Sequence, residues 1–319
     1  MRRRIVLDTD IGTDVDDALA LALALASPEL ELVAVTTVSG DTTMRARIAA
    51  RLLALAGRAD VPVHAGCREP LGGTAGFAWF GHEGTGILDE SRDALAPEPA
   101  ADALSRLFRQ VDDLELVTVG PLTNVAVALE RDPALARRIV RLTAMGGWLR
   151  GVVIGGNSLP PAVDYNLCSD PVASERVLSA GIPTRLVPAD VTVRVWLTDA
   201  DVEALERSAS PLHAALARAV RVWSPLQRNL FAGLGAPLPA GNAAFLHDPL
   251  ALACAHDEAF CSIEELTIEP VTVEGVLRTR VCAPGAAGGF RMRCATAVDA
   301  PRFTDHVRGR LGIGASEIG

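Results

Sequence analysis

The sequence predicts an α/β protein: an open, mostly parallel sheet flanked by helices, with extra helices and a small antiparallel hairpin toward its C-terminal end. Three observations carry this. Short apolar runs alternate with helical patterns through the first half of the 319 residues. Polar residues and glycines gather where the apolar runs end, in DTD, TTVSGD, VGPLTN and MGGW. From residue 264 to 294 the period shifts to two, with turn signals at Glu274-Gly275 and at 285–289.

Taken in order, strand-like runs fall at 5–7, 32–38, 61–63, 114–119, 141–145 and 184–187. Helical patterns at 16–26, 42–56, 100–111, 123–138 and 170–180 separate them. The first helix opens on Asp16-Asp17, acids placed at the positive end of its dipole. Asp41 stands where an N-cap for the second belongs. Later, TDADVEALERS and 211–231 read as helices, the former with a Thr N-cap. HDPLALACAH opens another with Pro249 near its start, and 299–311 closes the chain with a last helix. Alternation of this kind implies a Rossmann-like parallel sheet with right-handed crossovers, which binds ligands at the carboxyl ends of its strands. With no repeat, low-complexity linker or compositional break, one domain over 1–319 is expected.

Composition narrows the chemistry. The formal charge is −9, and every fixed cation is an arginine because the chain has no lysine. That excludes Schiff-base chemistry and a P-loop lysine, and the acidic balance argues against a nucleic-acid partner. The six cysteines lack any CxxC spacing, so buried free thiols in a reducing cytosol are the expectation. Asp8 ends the apolar stretch behind the N-terminal arginines, and no run is long enough to cross a membrane. A cytoplasmic protein with no membrane partner is expected.

The most informative segment is DTDIGTDVDDALAL, with five aspartates (Asp8, Asp10, Asp14, Asp16, Asp17) in one strand-to-helix turn. Like charges at such spacing repel by roughly 1–4 kcal/mol per pair. A divalent cation removes that repulsion, and an all-oxygen set favours Ca²⁺ or Mg²⁺ over zinc. A solvated acidic loop with N-caps is the plain alternative.

Together with VSGD (38–41), GHEGTG (81–86), TVGPLTN (118–124), MGG (145–147), GN (156–157), DYN (164–166), SDP (169–171) and HDP (247–249), this segment resembles the nucleoside hydrolase family, the inosine–uridine-preferring nucleoside N-ribohydrolases. The acidic run looks like that family's DxDxGxDDA signature with two residues inserted after Gly12. The resemblance implies a Ca²⁺ site formed by Asp10, Asp17, the Val119 carbonyl and Asp248, completed by a catalytic water and two ribose hydroxyls. It implies Asp10 as general base toward that water and His247 beside the leaving base. Asp16, Asn157, Asp164 and Asn166 would hold the sugar. His82, in a Gly-rich loop, is a candidate for a lid over it, with a plain surface loop as the alternative. Asp164 and Asp41 depart from the better-known members, which carry Glu and Asn there. Trp223 and Phe231 are candidates for stacking on the base, with core packing as the alternative.

The implied reaction is Ca²⁺-dependent hydrolysis of the N-glycosidic bond of a ribonucleoside, without a covalent intermediate, by a homodimer or homotetramer. Two rivals remain at this point. A Ca²⁺-dependent nucleoside- or sugar-binding protein would keep the cleft and lack turnover. A haloacid-dehalogenase-type phosphatase would use Asp8 in DTDIGT as nucleophile, but that class needs a later lysine.

Overall fold

The computed structural model describes residues 2–72, 81–91 and 93–313. Its first half runs β1 (Arg3–Thr9), α1 (Asp16–Ala26), β2 (Leu30–Thr37), α2 (Thr42–Leu55), β3 (Val63–Ala65), α3 (Ala100–Gln110), β4 (Leu114–Thr118), α4 (Thr123–Arg131) and β5 (Leu142–Met145). A hairpin, β6 (Val152–Ile154) and β7 (Asn157–Leu159), then precedes α5 (Tyr165–Ser169), α6 (Pro171–Ser179) and β8 (Thr184–Val187). The chain continues through α7 (Ala189–Thr192), β9 (Trp196–Thr198), α8 (Asp199–Arg207), α9 (Pro211–Gly233), β10 (Asn242–Phe245) and α10 (His247–His256). It ends with β11 (Cys261–Val273), β12 (Val276–Cys282), β13 (Phe290–Val298) and α11 (Ala300–Arg310).

The main sheet has the order β12-β11-β13-β8-β5-β4-β1-β2-β3. Strands β13, β8, β5, β4, β1, β2 and β3 pair in parallel, while β11 runs antiparallel to both β13 and β12. The antiparallel segment expected from 264–294 is therefore an extension of the main sheet, joined by β13 to β8. The helix expected over 123–138 stops at Arg131, because Asp132 caps a separate 3₁₀ turn that opens with Pro133. The strand expected at 61–63 forms two residues later, at β3.

Strand order reverses between β1 and β4: β2 and β3 lie to one side of β1, and β4, β5 and β8 to the other. At such a switch point the two following segments diverge and leave a crevice beyond the carboxyl ends of the strands. One buried layer packs α1, α2, α9 and α10 on one sheet face; a second packs α3, α4 and α6 on the other. Helix α1 is apolar nearly all round and buried along its length, which fits its place among α2, α9, α10 and α11. Each of its buried leucines contributes about 1.5–3 kcal/mol. All six cysteines are free thiols. Among the described residues, no helix is long and apolar enough to cross a membrane.

Candidate active site

The end of β1 brings Asp8 and Asp10 to the crevice, and α1 starts there with Asp16 and Asp17. From the other end of the chain, α10 starts with His247 and Asp248. The Asp248 amide donates to Asp16 Oδ2 at 3.4 Å, which ties the two helix N-termini together. Donor oxygens of Asp14, Asp16 and Asp17 all lie within 4.8 Å of one another. Asp14, one of the five aspartates with no role expected of it, thus lies with Asp16 and Asp17, whereas Asp10 and Asp248, expected as ligands, are not members of that close group. Gly120, just past β4, makes room for Asp10: a Cβ there would sit 2.8 Å from Asp10 Oδ1 and 2.9 Å from its backbone nitrogen.

Asp8 stands behind this group, fully buried, with Oδ1 accepting from Asn124 Nδ2 at 2.7 Å and from the Thr36 hydroxyl. The Thr9 hydroxyl donates to Asp17. Burial raises Asp8 to about 7. Burial likewise lifts Asp10 to about 7, with Arg45 pulling it down and Asp14 pushing it up. Asp16, Asp17 and Asp248 are held well above the usual carboxylate range, first by burial and then by one another's charge. Such a set is adapted to a partner that carries positive charge. A buried, all-oxygen donor group fits a hard divalent cation.

The sugar-side residues sort into three kinds. Asn166 Nδ2 donates to the Val119 carbonyl at 2.9 Å and to the Met145 carbonyl at 3.2 Å, so it bridges the ends of β4 and β5. The carbonyl expected to ligate a cation is therefore also the acceptor of Asn166. Asp164 is buried and caps α5 through the Leu167 amide at 2.7 Å. Asn157 is the exposed member of the expected set, on β7, with its amide 3.5 Å from the Gly155 carbonyl. Asp41 caps α2 by accepting from Met44 N at 3.1 Å. Asp170 of the SDP motif caps α6 and accepts from Thr123 at 2.7 Å and the Leu71 amide at 2.8 Å. Its work is to hold the loop after β3 against α4.

His247 packs on Phe245, with ring centroids 5.0 Å apart, and its Nδ1 lies 2.6 Å from the Thr192 hydroxyl. Burial lowers its pKa to about 4, so the ring is neutral at pH 7. His82 reaches the acidic turn: Nε2 is 2.6 Å from the Thr13 carbonyl, and the ring stacks at 5.9 Å on Trp223 of α9. These two and the acidic turn line a small cavity of about 20 Å³. Phe231 packs on Phe245 at 5.1 Å, in keeping with the core alternative. A larger groove of about 360 Å³ lies far from this chemistry, between α3 and α4, and its Arg109 and Arg131 are paired with Asp132 and Asp102.

Buried carboxylates at the switch point of a parallel sheet stand where α/β enzymes of this architecture bind small molecules. A family model described as inosine-uridine preferring nucleoside hydrolase matches residues 5–305, and the chain belongs to that family. It is accordingly an N-glycosyl hydrolase. The chain is 36% identical over 261 residues to the pyrimidine-specific ribonucleoside hydrolase RihA of Enterobacter sp. (strain 638), covering 78% of this chain and 77% of the relative. Among solved structures it resembles a plant nucleoside hydrolase, PpNRh1, with TM-score 0.84 and 27% identity over 98% of this chain and 99% of the other. It also resembles a purine-preferring ribonucleoside hydrolase from Gardnerella vaginalis, with TM-score 0.83 and 27% identity over 97% and 98% of the two chains.

Proposed function

We propose that this protein hydrolyses the N-glycosidic bond of ribonucleosides to ribose and free base with the help of Ca²⁺. The gathering of Asp14, Asp16 and Asp17 within 4.8 Å, with Asp10 and Asp248 close enough to share in the charge repulsion that pushes these carboxyls up, carries this reading. Asp10, Asp17, Asp248 and the Val119 carbonyl would hold the cation, with Asp14 beside them. When bound, Ca²⁺ supplies a Lewis acid for water and for the sugar hydroxyls.

The rest falls to the protein's own groups. Asp10, buried beside Gly120, takes a proton from the water that attacks C1′. The glycosidic electron pair leaves with the base, which takes up a proton. Positive charge grows on the ribose as the bond breaks, and the surrounding carboxylates favour it. Asp16, Asp164 and Asn166 orient the sugar. His247, neutral and held at Nδ1 by the Thr192 hydroxyl, stands beside the leaving base. His82 and Trp223 form the wall next to the base. Asn157 joins the sugar contacts from the β6–β7 hairpin. A homodimer or homotetramer rests on the family resemblance, and a cytoplasmic setting is supported by six free thiols.

A binding protein without turnover is the second reading, because a cleft of this kind binds nucleoside whether or not it cleaves. Ribose release is measured from inosine, adenosine, guanosine, uridine and cytidine, with and without chelator, for the native chain and Asp10→Ala. Release that needs both Ca²⁺ and Asp10 is expected. Nucleoside binding with no release from any of the five would overturn the hydrolase reading.

A further inference from the structure

Arg45 of α2 is fully buried, yet none of the sequence motifs includes it. Its guanidinium donates on three sides: Nε to the Ser39 carbonyl at 2.7 Å, Nη1 to the Ile11 carbonyl at 3.0 Å and Nη2 to Thr13 Oγ1 at 3.1 Å. It therefore ties the turn after β1 to the turn after β2, and Ile11 and Thr13 flank Gly12, where the acidic motif carries its extra residues. Burying an arginine is costly unless its charge is opposed. Its bonds to Ile11 and Thr13 set the guanidinium inside the acidic turn, next in sequence to Asp10 and Asp14, and its charge pulls Asp10 and Asp17 down.

We propose that Arg45 is a positioning residue that serves the acidic turn as a built-in counter-charge, sharing with the bound cation the work of opposing the clustered carboxylates. This rests on the cation reading above. Two positive charges facing one anionic cluster also repel each other. Either one therefore matters more when the other is missing, and the coupling is reciprocal. A guanidinium acting only as a clamp on residues 11–13 and 39 makes the opposite prediction: its loss loosens the turn and weakens cation binding.

The test compares the native chain with Arg45→Gln, which keeps polarity and drops charge, and Arg45→Lys, which keeps charge and drops the fork. Chelator-stripped proteins are titrated with Ca²⁺ by calorimetry, and melting midpoints are read in chelator and in saturating Ca²⁺. Arg45→Gln is expected to bind Ca²⁺ more tightly, on the order of tenfold. Its loss of melting temperature is expected to be larger in chelator than in Ca²⁺. Arg45→Lys should stay within about threefold of the native affinity, because the point charge remains. A Gln variant that folds only with Ca²⁺ supports the proposal in its strongest form. Equal melting losses in both conditions with unchanged or weaker Ca²⁺ binding would overturn it, as would a variant that folds in neither. A native chain that binds no Ca²⁺ removes the cation reading itself, and this inference with it.

Discussion

At the floor of the cleft, Asp10, Asp16, Asp17 and Asp248 are buried, and each stands at a strand end or a helix start. At the rim, His82 and His247 are half-buried, Asn157 is exposed, and the end of α9 leaves Leu230 and Leu234 in solvent. The floor is backed by the sheet, so its carboxylates have little freedom to move apart. The rim hangs on turns and on one long helix that carries Pro225 in its interior. The contrast separates two tasks: a rigid floor suits bond cleavage, where small displacements are expensive, whereas a looser rim suits the choice of base.

The sharpest break between the two regions comes from Asp10→Asn. Loss of a positioned general base costs about 10²–10⁴ in kcat. Nucleoside binding should survive, which a paired calorimetric titration would show; binding lost together with turnover would mean that Asp10 serves mainly to assemble the floor. The next effect in size is on stability. Asp8 and Asp10 rise from 3.8 to about 7 on folding, so the folded state holds more protons than the unfolded one between those values. These two carboxyls therefore stabilise the metal-free protein most in acid, and that contribution is lost as pH rises from 3.8 through about 7, with His247, lowered to about 4, working the other way. Melting curves in chelator from mildly acidic to mildly basic pH should fall accordingly. The trend should weaken in saturating Ca²⁺, where cation and proton compete for the same oxygens. The smallest effect belongs to the rim. Trp223→Ala removes the ring on which His82 stacks, and is expected to reorder the five nucleosides by KM, each shift about tenfold or less, with little change in kcat. An equal loss of kcat on every nucleoside would place Trp223 functionally with the floor.

Much of the floor was legible because its residues lie next to each other in the chain and announce themselves by charge. DTD, DD and HDP sit at the ends or beginnings of elements whose periods are strong, as in β1 and α1. What escaped was non-local or silent. The alternation of 264–294 shows antiparallel pairing, but nothing in it says that β13 will lie beside β8, about a hundred residues earlier. Arg45 looks like any helix arginine; only burial distinguishes it. Asp14 needed coordinates, since spacing alone cannot say which of five neighbouring acids face one point. The β6–β7 hairpin, by contrast, had a readable signal in its Gly155-Gly156 turn, where both residues take positive φ, at 56° and 83°.

The hydrogen bond from the Asp248 amide to Asp16 joins residues 232 positions apart. At about 5–20 residues per second, a ribosome needs roughly 12–46 s to travel between them. Throughout that interval the nascent chain presents its acidic turn to water, where the carboxylates are well hydrated and close the site to nothing. That hydrogen bond can close only once α10 has been made, when β1, β2, β3, β4, β5 and β8 of the main sheet are already available to support it.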